Sequence, residues 1–107
     1  MRPPRKVKVL ADTYAVETGR AVSAALDAEG SLGHCERGEL RITLDVSVPH
    51  TVAARTMLHE VLHAAWDCTP LREMGAAKEE TAITALAPVL ITVLRENPAL
   101  VAYLVAD

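Results

Sequence analysis

The sequence predicts an α+β fold: a small antiparallel sheet of about three strands packed against two crossing helices. Three observations point there. Between Glu39 and Asp45, Leu40, Ile42 and Leu44 alternate with Arg41, Thr43 and Asp45, which is the period of a half-buried strand. From about Pro49 onward apolar residues instead recur every three or four positions, as on helices that face a core. Half of the 107 residues are apolar, yet there is no Phe, one Trp and two Tyr. The core must therefore come from Ala, Val and Leu, which suits closely approaching helices. The length supports one domain over residues 1–107, large enough to hold a core without disulfides.

Each element has its own signal. Lys6 to Tyr14 alternates loosely through Val7, Val9 and Leu10 and predicts the first strand. Thr18 to Glu29 carries Val22 and Leu26 four apart among alanines, a short helix that Gly30 ends. Leu32 to Glu36 and Glu39 to Asp45 flank Arg37-Gly38, the pattern of a hairpin. Ser47 is a candidate cap and Pro49 suits a first turn, so a helix is expected from about Pro49 to Trp66, stopping before Thr69-Pro70. A further helix should run from about Ala76 to Arg95. Pro88 lies inside it, lacks a backbone donor and crowds the preceding turn, so a kink or a break is expected. Asn97-Pro98 opens a short last helix carrying Leu100, Val101, Leu104 and Val105.

Composition excludes several function classes. A charged fraction of 23% among so many apolar residues is not that of a disordered chain. Arg2, Arg5, Lys6 and Lys8 crowd the start, but the net charge is −3, so a solvated arm is expected and a nucleic-acid partner is not. No apolar run reaches the ~18 residues of a membrane span, and the start has no signal-peptide core. No membrane partner is expected. Cys35 and Cys68 are too few for a disulfide scaffold and indicate a reduced, cytoplasmic protein with isolated thiols.

The chemistry concentrates in His59-Glu60-Val61-Leu62-His63. Four helical residues turn through about 400°, so both imidazoles leave one face a turn apart and can converge on zinc. Glu60 sits beside such a metal rather than on it, placed to take a proton from a water that the metal acidifies. This HExxH pattern is that of zinc metallopeptidases. A catalytic zinc needs a third ligand and an open position. Glu79 and Glu80, one turn before the apolar stripe of the next helix, both qualify, and helical phase favours Glu79, which aligns with Ile83, Leu86 and Leu90.

The run Thr56-Met57-Leu58-His59-Glu60-Val61-Leu62-His63-Ala64-Ala65-Trp66, with Glu79-Glu80 and Leu86-Ala87-Pro88, resembles the compact zincin-like proteins of phages and prophages. More distantly it is similar to ImmA/IrrE-type and SprT-type peptidase domains. The resemblance covers roughly the C-terminal two-thirds. In the ImmA/IrrE pattern a ligand Glu stands about six positions before an aromatic or aliphatic residue followed by Ala. Leu86-Ala87 matches that pair and so implies Glu80 as the third ligand, with His59 and His63, and Glu60 as general base. It also implies a minimal zincin-like domain in the cytoplasm of a bacterium or a phage-infected host. The chain departs from the relatives in being very short, with no obvious added substrate-recognition domain.

The expected function is a minimal zinc-dependent metallopeptidase acting on a peptide or protein substrate. The alternative is a non-catalytic, zinc-stabilised module that binds a protein partner. Tyr14, His34, His50 and Tyr103 are the candidates for stabilising the oxyanion of a tetrahedral intermediate. The Glu39–Asp45 strand is a candidate exposed edge along which an extended substrate could pair.

Overall fold

The computed structural model describes residues 1–107. Four strands, β1 (Lys6–Val9), β2 (Asp12–Glu17), β3 (Gly33–Glu36) and β4 (Arg41–Leu44), form one sheet in the order β1-β2-β4-β3. Four helices accompany them: α1 (Arg20–Ala28), α2 (His50–Asp67), α3 (Ala76–Glu96) and α4 (Pro98–Val105).

The α+β class holds, but the sheet differs from expectation in two ways. The segment from Lys6 to Tyr14 is two strands, not one. The chain reverses at Leu10-Ala11 so that Val9 pairs with Asp12, and Leu10 enters the left-handed region at φ 55°. Neither turn residue is Gly, Asn or Asp, which is why no turn signal was visible. The sheet is also mixed rather than antiparallel, because β2 runs parallel to β4, with Ala15 opposite Arg41 and Glu17 opposite Thr43. A parallel neighbour requires the chain to return to the starting end of the sheet: α1 links the end of β2 to the start of β3, and β3, antiparallel to β4, runs back.

β3 and β4 form the expected antiparallel pair, Gly33 facing Leu44 and Glu36 facing Arg41. Their connection is one turn of 3-10 helix, Arg37–Glu39, closed by Leu40 at φ 51°. β4 lies between β2 and β3, so the Glu39–Asp45 segment is an inner strand and cannot be the exposed edge. The edge beside it is β3. Ile42 and Leu44 are buried, as the alternation required, and Tyr14, Ile42 and Ala64 make the central cluster between sheet and α2, with Met57 and Val61 packed around it.

Ser47 does not cap α2; its N–H and hydroxyl donate instead to Asp45 Oδ1 at 2.9 and 2.6 Å, and the Ser23 hydroxyl from α1 donates to the same oxygen at 2.8 Å. One buried carboxylate thus ties α1 to the segment entering α2. After α2, Thr69 caps a 3-10 turn over Pro70–Met74 by accepting from the Leu71 N–H, and α3 then packs back across α2, burying Glu79, Ile83 and Ala87. Pro88 does not divide α3, which remains one helix through Glu96. No single helix is long and apolar enough to cross a membrane.

Candidate metal centre

His59 and His63 project from the face of α2 that meets the first turn of α3. His63 Nε2 lies 3.1 Å from His59 Nε2. The Glu80 carboxylate reaches both, Oε1 at 3.1 Å from His59 Nε2 and Oε2 at 2.9 Å from His63 Nε2. Two imidazole nitrogens and one carboxylate oxygen are a donor set that zinc accepts. Tetrahedral bonds of ~2.0–2.1 Å hold donor atoms about 3.3–3.4 Å apart; the two imidazole nitrogens stand 3.1 Å apart, each has a different Glu80 oxygen at a similar distance, and one donor atom from each residue lies within 4.8 Å of the others. The residues present therefore fit a divalent zinc, and His59, His63 and Glu80 are the group that could hold it.

The neighbouring Glu79 has a different place. It is buried, in line with Ile83 as helical phase indicated, and its Oε2 lies 2.5 Å from His63 Nδ1. An ionised carboxylate only accepts, so Glu79 favours the proton on Nδ1, the tautomer whose Nε2 lone pair can serve a metal. The same Glu79 oxygen is paired with Arg37, whose other terminal nitrogen donates to Asp67 Oδ1 at 3.1 Å. Adjacent residues on a helix point about 100° apart. One glutamate can therefore join the cluster while the next supports it from behind.

Glu60 is, with Glu79, the second buried acid of the region. Its side chain lies along β3 at Gly33, where an added Cβ would stand 3.2 Å from both Glu60 Cγ and Oε2 and 2.9 Å from Thr56 Cγ2. Glycine thus permits the close approach of helix and strand. Burial, reinforced by the Glu80 charge, pushes the Glu60 carboxyl up to about 7. Burial, with His59 and Arg37 adding positive charge against the pull of Glu80, holds His63 below the ordinary imidazole range. Against a burial penalty, the Thr84 hydroxyl and the two imidazoles hold Glu80 below the usual carboxylate range. Cys35, behind Glu60, is raised to about 11 by burial and by that carboxylate.

A cleft of about 390 Å³ opens on this group between β3, α2 and the start of α3, bordered by Arg37, Glu60 and Glu80. A second hollow of about 480 Å³ shares Gly33, His59 and Glu60 and continues past Arg55 and Thr84. Together they make a groove that crosses the HExxH motif. Of the four oxyanion candidates only His34 borders the cleft. Tyr14 is buried in the core, Tyr103 projects from α4, and His50 lines a different hollow at the start of α2. Cys35 and Cys68 are free thiols. Sequence reasoning missed Arg37, which reads as a hairpin-turn residue, and Gly33, whose lack of a side chain carries no local signal within a strand.

No protein-family model, curated protein or solved structure matches the chain.

Proposed function

We propose that the protein is a minimal zinc-dependent peptidase. The observation that carries this reading is the approach of His59 Nε2, His63 Nε2 and the Glu80 carboxylate to about 3 Å from one another, with Glu60 beside them on the floor of an open groove. When bound, zinc supplies a Lewis acid that lowers the pKa of a water in its open position and polarises a carbonyl.

The remaining work falls to the chain itself. Glu79 favours the metal-binding tautomer of His63, and Arg37 holds Glu79 in place. Glu60 has no hydrogen-bonding partner in the protein to compete for its carboxylate. It takes a proton from the attacking water and returns it to the amide nitrogen as the carbon–nitrogen bond breaks. β3 is an edge strand of the sheet, the one that borders the cleft. Because the Asp45 N–H donates to the Leu32 carbonyl, the antiparallel alternation turns the backbone groups of Gly33 and Cys35 outward. An extended peptide can pair with them and pass over Glu60.

The test combines metal analysis with two substitutions. The purified protein should bind one zinc per chain, and His59→Ala should abolish it. Glu60→Gln should keep the metal and the melting temperature while losing cleavage of a quenched-fluorescent peptide library. Absence of zinc from protein refolded with excess metal would remove the reading.

A second reading, a zinc-stabilised module that binds a protein partner, is favoured by one observation. Only 11 of 107 residues are buried, so metal binding could supply a large share of the folding free energy. Zinc binding with no cleavage by the unsubstituted protein would select it.

A further inference from the structure

Helix α3 carries an apolar stripe, Ile83, Ala87, Leu90 and Leu94, at spacings of four, three and four residues, the repeat of one helix face seeking a partner. Ile83 and Ala87 are buried against α2, at 2% and 1% exposure. Leu90 and Leu94, on the same stripe, are 37% and 36% exposed. The stripe therefore outruns the helix that covers it. Leu86, Val89 and Val93 widen it on one flank, and after a 97° bend α4 adds Leu100, Tyr103 and Leu104. Tyr103 is 80% exposed and Leu104 62%.

Summed over the two helices these residues, with Val105, leave on the order of 900 Å² in water, where the largest contiguous patch on a typical monomer is roughly 300–600 Å². From Thr81 to Leu94, and again from Asn97 to Ala106, there is no charged residue. We propose that this face is the interface of a homodimer, the C-terminal half of α3 and α4 of one chain covering those of a second copy.

Two considerations select that occupant. The exposed area is close to the ~800 Å² that each partner contributes to a standard stable interface. An uncharged surface meets itself about a two-fold axis without like-charge repulsion, whereas choosing a different protein would draw on charge complementarity that this face lacks. A bilayer is a poorer fit. The uncharged stretch of α3 is only about 21 Å long against a hydrocarbon core of ~30 Å. Arg95 and Glu96 stand at the bend, and the opposite flank of α3 is already packed on α2.

Sedimentation velocity and light scattering of the full chain at micromolar concentrations test the proposal, alone and with phosphatidylcholine–phosphatidylglycerol vesicles. The expected result is twice the chain mass, with no pelleting on vesicles. Val89→Glu and Leu104→Glu, both at exposed positions, should each weaken dimerisation at least tenfold while leaving the far-ultraviolet circular dichroism unchanged. A monomeric unsubstituted protein, pelleting with vesicles, or a dimer that survives in both folded variants would overturn it. Since the face excludes the histidine cluster, the outcome is independent of whether the protein cleaves peptides.

Discussion

Glu79 and Glu80 show how far apart two identical neighbours can be in role. Glu80 is an exposed acid that turns inward to two imidazole nitrogens, while Glu79 is buried and faces the back of His63. Replacing Glu79 with Gln removes the anion that favours this tautomer, and zinc affinity should fall about 10–100-fold, measured by competition with a chromophoric chelator. An unchanged affinity would deny Glu79 its supporting place. Gly33→Ala inserts a methyl group 2.9 Å from Thr56 Cγ2. It should cost about 1–3 kcal/mol in urea unfolding, because both contacts belong to α2. Asp45 is held below the usual carboxylate range by the Ser47 and Ser23 hydroxyls and the Ser47 N–H. A carboxyl whose folded pKa is depressed stabilises the protein above its unfolded pKa, near 3.9, and that contribution is lost as pH falls through the lower folded value. Asp45→Asn should therefore flatten the acid limb of stability below about pH 4, while changing its slope little at neutral pH.

Among the elements, the β1–β2 turn offers the clearest test. Leu10 is 73% exposed and holds a left-handed backbone that costs a β-carbon about 1–2 kcal/mol. Leu10→Gly should raise stability by up to about 1 kcal/mol, the relief being partly offset by the freer unfolded chain; a lower unfolding midpoint would contradict the strain. The same turn marks the limit of what the sequence disclosed. β4 was legible because Leu40, Ile42 and Leu44 repeat within one segment, and α2 because its apolar face and two histidines share a period. The hairpin at Leu10 lacks the residues that usually announce one, and the parallel pairing of β2 with β4 joins segments 26 residues apart, with Ala15 opposite Arg41. Helical phase identified Glu79 as the inward glutamate. It could not show that the longer reach of exposed Glu80 would meet both rings. Arg37 reaches Glu79 only through the packing of the β3–β4 turn on α2 and α3, which no local pattern encodes.

At the scale of the whole molecule the sheet and the helix pair are separate layers with few fully buried side chains, Ile42, Leu44 and Ile83 being the largest. The three candidate ligands come from α2 and α3, so a bound ion would fasten those helices together. Chelation should lower the melting temperature, and free zinc at about 1,000 times its dissociation constant should restore about 4 kcal/mol. Calorimetry in chelator and then in excess zinc checks this, and an unmoved transition would mean that the two helices stay docked without an ion.

Arg37 lies within the four-residue loop that joins edge strand β3 to its inner neighbour β4, yet its guanidinium grips acids on both α2 and α3. It works as a rivet through two plates. Whatever displaces that loop must therefore also loosen the carboxylate that stands behind His63.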